Sequence, residues 1–470
     1  MSNDQNHFDL VIIGSGPGGY VGAIRAAQLG MKTAIVEKDK LGGICLNWGC
    51  IPTKALLKNA EIYKLFQKSE EFGISYDNLR FDFSKIIKRS REVSDKISRG
   101  VGFLMKKNKV TIFNGTGKLT AHDHVEVFGP DQTLKDTLTA SRIMIATGAR
   151  PRTLPGVVFD GRRIIGSSEA MVMQQVPKSL LIIGAGAIGV EFAYFYNTFG
   201  SSVTVVEMMP AILPIEDKEI SDLLAKSFKK TGIQLLTGTK VVSLKAEGDR
   251  VNAVLENSKG ERSESSAEVA LMAVGVLGNT EGLGLEKLGV KVEKGSIPVN
   301  SDFQTTIPGV YAIGDVIGPP WLAHVASAEA ISAVEGMAGH KDRLQVNYQN
   351  IPGCTYCQPQ VASIGLTEEK AREKGYELKI GRFPFSASGK AKATGETEGL
   401  VKLIFDAKYG ELLGAHLLGS EATEMIAELG LAKNLEATYE EISKTVHAHP
   451  TLSEAVMDAA ADAAGESINQ

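Results

Sequence analysis

The sequence predicts an α/β fold of two βαβ halves, one inserted in the other. Three observations predict it. A glycine-rich strand–turn–helix pattern occurs twice, at Gly14 and at Gly184. In each copy an acid closes the next strand 23 residues after the first glycine. Two more strand-plus-glycine segments, "RIMIATGARP" (142–151) and "VALMAVGVLGNT" (269–280), close each half, so the second half falls within the first.

A chain of 470 residues is too long for one core; at about 100–200 residues per domain it should hold three or four. The composition is that of a globular protein, 43% hydrophobic and 23% charged. Fifty glycines without a collagen-like period suggest tight turns and close backbone approaches to a ligand. A net charge of −4 supplies no global attraction to nucleic acid or anionic membrane. The start, "MSNDQNHFD", is polar and without a basic segment, and the apolar run Leu10 to Ile13 is too short for a signal peptide. The most apolar stretch, "SLLIIGAGAIGVEFAYFY" (179–196), is interrupted by Glu191 and three glycines, which argues against a membrane helix. These features predict a cytoplasmic protein. In that compartment structural disulfides are rare, so closely spaced cysteines read as redox-active or metal-binding.

The first half opens with "FDLVIIGSGPGGYVGAIRAAQLGMKTAIVEKD". An apolar strand runs into Gly14, Gly16 and Gly19, an Ala-rich helix follows, and a second strand ends at Glu37. The repeat, "SLLIIGAGAIGVEFAYFYNTFGSSVTVVEMM", places Gly184, Gly186, Gly189 and Glu207 in the same order. The first glycine permits the turn, the second lets backbone approach a pyrophosphate, and the third lets helix and strand pack closely. The pyrophosphate takes the helix N-terminus, where unpaired N–H groups and the dipole favour an anion. The terminal carboxylate accepts from ribose hydroxyls and repels a 2′-phosphate, so Glu207 argues for NAD over NADP. As mere turn residues these glycines would be ordinary once; twice, with the acid at a matching distance, they predict two Rossmann-like sites, one for a flavin dinucleotide and one for a nicotinamide. "TTIPGVYAIGDV" (305–316), a short strand ending at Asp315, suits the ribityl or phosphate groups of the flavin. The expected domains are 1–150 for the first part of the FAD domain, 151–280 for the NAD domain, 281–350 for the segment completing the FAD domain, and 351–470 for the α+β interface domain.

"LGGICLNWGCIPTK" (41–54) places Cys45 and Cys50 five residues apart in a chain with only four cysteines. On an ideal helix their Cα atoms would lie ~8.7 Å apart, and on a strand ~16 Å. A disulfide needs less than about 7 Å. The two can therefore bridge only on a distorted turn, for which Asn47 and Gly49 are suited.

"GGICLNWGCIPTK" after an FAD-type fingerprint, with "HAHPTLSE" (447–454) near the C-terminus, resembles the flavin- and nicotinamide-dependent disulfide reductases, the class I pyridine nucleotide-disulfide oxidoreductases. The order of segments matches along nearly the whole chain. The resemblance implies a redox-active Cys45–Cys50 disulfide, with Cys45 exchanging with substrate and Cys50 facing the flavin. It implies a His449/Glu454 base, and Lys54 beside the flavin's reactive edge, paired with Glu191. The family's FAD contacts fall on Gly14, Gly16, Gly19, Glu37, Gly43, Lys54, Gly117, Thr147, Gly148, Asp315, Ala323 and His324. Its NAD contacts fall on Gly184, Gly186, Gly189, Glu191, Glu207, Val241 and Gly275. The implied reaction is oxidation of protein-bound dihydrolipoamide to lipoamide with reduction of NAD, within 2-oxoacid dehydrogenase complexes. The implied partners are a second copy in a homodimer and the lipoyl domains and core subunits of those complexes. The alternative is a related glutathione or mercuric reductase. Glu207 speaks against the NADPH-linked former, and the cysteine-free C-terminus "AAADAAGESINQ" against the latter.

The chemistry suits the residues. A dithiol must lose protons before it attacks a disulfide, because the thiolate is the nucleophile. A histidine held through its other ring nitrogen by a carboxylate can take them. His447, two residues before His449, points the opposite way in an extended segment and reads as structural. "CTYCQPQ" (354–360) has CxxC spacing, but it reads as extended chain entering a strand, where the Cα atoms lie ~10 Å apart. It is expected to carry structural thiols rather than a metal. "SKIIKRSREVSDKISRGVGFLMKKNK" (84–109) is basic and predicts a helix packed through Ile86, Val93, Ile97, Val101 and Leu104.

Overall fold

The computed structural model describes residues 6 to 469; residues 1–5, the start of the polar N-terminal stretch, and residue 470 lie outside it. The chain divides into two compact units. One comprises the described residues through Leu56 together with Ser84–Arg152 and Gly275–Val346; the other comprises Leu57–Phe83, Thr153–Val274 and the residues from Asn347 onward.

In the first unit, parallel strands run in the order Thr111–Asn114, Thr33–Glu37, His7–Ile13 and Leu134–Ile145, with Val310–Ala312 beside the last. Ile13 stands opposite Val36 and Ile145, and Ile145 opposite Ala312, so the strands end level where the first glycine turn emerges. The apolar run Leu10 to Ile13 is buried on both faces, as parallel strands are. Leu10 and Ile12 share a core with Ala23, Ala26 and Ala330 of the helices Pro17–Gln28 and Ala323–Met337. Val11 and Ile13 share one with Leu119, Val125 and Val127 of an antiparallel pair on the other face.

The helix Phe83–Lys107 corrects the sequence-based stripe. Its buried residues are Phe83, Ile87, Ser90, Ser94, Val101 and Met105, whereas Leu104 is exposed and Ile86, Val93 and Ile97 are only half-buried. Serines win this face because their small side chains allow close approach and their hydroxyls find backbone carbonyls. Ser90 reaches Ile87 O (2.8 Å), Ser94 reaches Leu46 O (2.5 Å) and Ser98 reaches Leu41 O (2.8 Å).

In the second unit, a parallel sheet orders Gln234–Leu236, Ser202–Val206, Ser179–Ile183, Val269–Met272 and Ile164–Ile165. In chain order it lies between Leu134–Ile145 and Val310–Ala312, so the second Rossmann-like half is an insertion in the first. The C-terminal portion is a five-stranded antiparallel sheet in which every residue of Leu400–Asp406 and Leu412–Gly419 is buried. Lys402 lies in that core at 3% side-chain exposure and is compensated by Asp217 (2.8 Å), Glu368 (2.9 Å) and Glu219 (3.1 Å). Among the described residues, no helix is long and apolar enough to cross a membrane.

Candidate active site

Cys45 lies on the short helix Gly43–Trp48, which Gly42 opens at φ +97°. Gly49 stops it at φ −149° and ψ −115°, outside both the helical and the extended regions, and Cys50 restarts a helix that runs to Gln67. A Cβ on Gly49 would lie 3.0 Å from Ile44 O and 3.3 Å from Cys45 Cα, so a glycine is what lets the chain fold back under Cys45. Thr53 steadies the restart by donating both its N–H and its hydroxyl to Gly49 O (3.1 and 2.7 Å). Asn47, buried, donates its amide to Leu41 O and Gly43 O (3.0 Å each). Arg91 donates to Asn47 O at 2.7 Å and lies over the Trp48 ring.

This interruption brings the Cys45 and Cys50 thiols into hydrogen-bond contact. That hydrogen bond, and then burial, raises the pKa of the Cys45 thiol, while the charge of Lys54 works in the opposite sense. Two sulfurs this close can exchange with an external disulfide or dithiol and can join to each other. Cys50 is exposed and Cys45 half-buried.

Both glycine turns fit the pyrophosphate of a dinucleotide. A Cβ on Gly16 or Gly186 would meet nothing within 4 Å, which leaves open space at the helix start. A Cβ on Gly19 or Gly189 would lie 2.0 Å from the carbonyl oxygen of Gly14 or Gly184. Gly43 brings its own helix start to the first turn, since a Cβ there would lie 2.7 Å from Gly16 Cα. Glu37 accepts from Ser15 N (2.8 Å), Ser15 Oγ (2.6 Å) and Asp39 N (2.8 Å). Glu207 accepts from Ala185 N (2.7 Å) and Met209 N (2.8 Å). Each acid is thereby tied to the residue that follows the first glycine of its turn and to the backbone two residues beyond itself.

The remaining predicted contacts surround these turns unit by unit. In the first, Gly117 faces Ile13 and Val36. Thr147 and Gly148 are tied to Asn279: Thr147 Oγ1 donates to Asn279 O (2.8 Å), and Asn279 donates its amide to Thr147 O and its N–H to Gly148 O (2.9 Å each). Gly275 accepts from Arg152 N at 3.0 Å and belongs to this unit. Asp315 is the second residue of the 3-10 turn Gly314–Ile317, and burial pushes its pKa up to about 6. Ala323 and His324 begin the helix Ala323–Met337. In the second, Val241 packs against the core that holds Ile183 and Val206, and Glu191, buried, accepts from Tyr356 N at 2.9 Å.

His449 and Glu454, also in the second unit, form a pair. The imidazole Nδ1 lies 2.9 Å from Glu454 Oε1, and Thr451 N donates to Glu454 Oε2 at 2.8 Å. That N–H, opposed by burial and reinforced by His449, lowers the Glu454 pKa, so the carboxylate is the acceptor and Nδ1 carries the proton. His449 is 78% exposed and so presents Nε2 outward. His447 is turned inward at 6% side-chain exposure, held by Glu428 (2.7 Å) and Thr445 O (2.9 Å).

The family described as pyridine nucleotide-disulphide oxidoreductase matches residues 8–330, and its dimerisation domain matches residues 351–460. The chain belongs to the pyridine nucleotide-disulphide oxidoreductases. Like the family it uses FAD and NAD. The dihydrolipoyl dehydrogenase of Zymomonas mobilis is 49% identical over 464 residues, 99% of each chain. Those of Rhizobium etli and Bacillus subtilis are 48% and 44% identical, each covering 98% of this chain and 99% of the relative. Among solved structures, LpdA from Mycobacterium tuberculosis superposes with a TM-score of 0.88 at 25% identity, covering 96% of this chain and 98% of its own. A Cu(II) complex of the HOCl-induced flavoprotein disulfide reductase RclA from Escherichia coli gives 0.86 at 27% identity over 97% and 99%.

Several members of this arrangement are not predicted by the sequence pattern: Ser15, Arg91, Ser94, Ser98, Glu329 and Tyr356. Glu329, buried, accepts from Gly314 N at 2.7 Å and so holds the loop that carries Asp315. The serines had a signal, since Ser90, Ser94 and Ser98 recur every four residues along one helix face. Glu329 and Tyr356 had none, because their partners are remote in sequence or offered only by backbone.

Proposed function

We propose that the chain oxidises protein-bound dihydrolipoyl groups and reduces NAD, as the lipoamide-regenerating component of 2-oxoacid dehydrogenase complexes in the cytoplasm. The observation that carries this reading is the contact of the Cys45 and Cys50 thiols across the helix break at Gly49. A glutathione- or mercuric-type reductase is not favoured, because relatives 44–49% identical over nearly the whole chain are dihydrolipoyl dehydrogenases and because Glu207 is suited to accept from ribose hydroxyls rather than to meet a phosphate.

In this reading His449 Nε2 takes the proton from one substrate thiol. Glu454, ionised and bonded to Nδ1, fixes the tautomer and stabilises the imidazolium that forms. The substrate thiolate attacks Cys45 Sγ of the oxidised pair, and Cys50 departs as a thiolate. The second substrate thiol, deprotonated in turn, closes the lipoyl disulfide and releases Cys45. The substrate loses two electrons and two protons, and the cysteine pair gains the electrons. FAD, when bound, supplies the acceptor through which those electrons pass as a hydride to NAD. Gly14 to Gly19 and Glu37 would hold FAD; Gly184 to Gly189 and Glu207 would hold NAD.

We further propose a homodimer in which His449 of one copy serves the cysteine pair of another, a reading supported by the dimerisation domain over residues 351–460. Anaerobic titration with dihydrolipoamide tests the chemistry: a long-wavelength flavin–thiolate band should grow at two-electron reduction in the wild type and be absent in Cys50→Ser. Mixing Cys45→Ser with His449→Gln subunits tests the shared site. Restored activity supports it, and a mixture as inactive as its parents refutes it.

A further inference from the structure

The segment Cys354–Cys357, whose CxxC spacing the reaction leaves without a role, lies against the second glycine helix, Ala187–Thr198. Tyr356 donates its backbone N–H to Glu191 Oε1 at 2.9 Å. Glu191 lies just over one turn into that helix and is 4% exposed. The donor is itself firmly held. Cys354 and Thr355 pair with Ala362 and Val361 of the neighbouring strand. The Cys357 thiol, fully buried, donates to Pro359 O at 3.2 Å. The Cys354 thiol and the Tyr356 hydroxyl share a hydrogen bond.

We propose that this segment is a positioning strap, in which the Tyr356 amide selects the one conformation of Glu191 that presents its carboxylate to the bound nicotinamide dinucleotide. The proposal rests on the assignment of Glu191 to that site. A glutamate side chain has three torsions and several staggered states; a hydrogen bond to an amide held directly after the strand Gly353–Thr355 narrows them to those that reach it. Because the donor is backbone, the residue type at 356 gives no hint of the role. The two cysteines serve the strap by packing and by fixing its ends, and neither reacts. Tyr356 is thus a positioning residue contributed by the C-terminal domain to the second dinucleotide site.

The test replaces Tyr356 in the holoenzyme with its α-hydroxy analogue, which turns the 355–356 amide into an ester and deletes only the N–H. NAD affinity is measured by calorimetry, and exchange of the Tyr356 amide hydrogen by mass spectrometry in the wild type and in Glu191→Ala. The ester should weaken NAD binding roughly tenfold, the worth of one hydrogen bond to a charged group. Glu191→Ala should weaken it at least as much, the two together no more than Glu191→Ala alone, and amide exchange at Tyr356 should quicken at least about tenfold in Glu191→Ala. An ester enzyme that binds NAD normally while Glu191→Ala does not would overturn the strap and leave the Glu191 assignment standing. Normal NAD binding by Glu191→Ala would overturn the assignment and the strap with it. If the ester variant does not fold, unchanged Tyr356 exchange in Glu191→Ala is sufficient to refute the proposal.

Discussion

The first glycine of each turn adopts the same backbone, φ +103° at both Gly14 and Gly184, and the third makes the same 2.0 Å approach. The residues around them differ. Ser15 comes after the first glycine of one turn and Ala185 after that of the other. Ser15 donates to Glu37 through both N and Oγ, and its Oγ also accepts from Gly42 N at 3.2 Å, on the segment that leads into Cys45. Ala185 can offer Glu207 only its N–H. Gly18 is pressed under Ile313 and Ala326, where a Cβ would lie 2.8 Å from Ile313 Cδ1, whereas its counterpart Ile188 is 41% exposed. The first helix therefore packs closely through Gly22, Ala23 and Ala26, while the second buries Phe192, Tyr194, Phe195 and Tyr196. Local sequence makes the glycine turn; what covers it decides whether the turn is also tied to the segment that carries Cys45.

Swaps between the halves sharpen this contrast. The largest effect is expected from Gly19→Ala and Gly189→Ala, each forcing a methyl into a backbone carbonyl at a cost above about 4 kcal/mol. Gly19→Ala should purify without flavin, and Gly189→Ala should keep its flavin yet lose NAD binding more than about a hundredfold; absorbance and calorimetry check both. Equal flavin loss in both variants would break the contrast. Gly18→Ile, which copies the second turn into the first, should destabilise by about 3 kcal/mol in urea unfolding, whereas Ile188→Gly should cost under about 1 kcal/mol.

Next in size is the pH dependence of the flavin half. Burial holds the Asp315 pKa at about 6, above the usual carboxylate range, so the folded apoprotein keeps a proton that the unfolded chain has released. Its stability should therefore fall as pH rises from about 4 to 6, and Asp315→Asn should recover about 2 to 3 kcal/mol at pH 8 and little at pH 4. The same variant should bind FAD more weakly. Thermal unfolding of both apoproteins at the two pH values is the check, and an equal gain at both would refute it. Ser15→Ala should cost about 1.5 kcal/mol, because it removes a hydroxyl bonded to a carboxylate. Ala185→Ser should add about 0.5 kcal/mol if its hydroxyl finds Glu207 as Ser15 finds Glu37.

The glycine fingerprints, the cysteine segment and the His449–Glu454 pair were legible because each depends on residues close in sequence. A turn needs its glycine wherever the chain goes afterwards, and five residues from His449 to Glu454 close a contact that a local fold-back suffices to make. The burial face of the helix Phe83–Lys107 is legible only in part: Val101 is buried and Ile97 packs against the same core, but at the rest of the face the neighbouring backbone offers carbonyls that serine hydroxyls satisfy.

Sequence by itself determined the two glycine turns, their acids and the helix break that brings two sulfurs together, because these depend on allowed backbone torsions and short-range geometry. Tertiary structure alone decided that Ser94 and Ser98 would anchor the cysteine segment, that Glu329 would brace the loop of Asp315 and that Tyr356 would reach Glu191. The last pair stands 165 residues apart in the chain. A hydrogen bond between a side chain and a distant backbone amide leaves no mark on residue type at the donor, so only the folded chain reveals it.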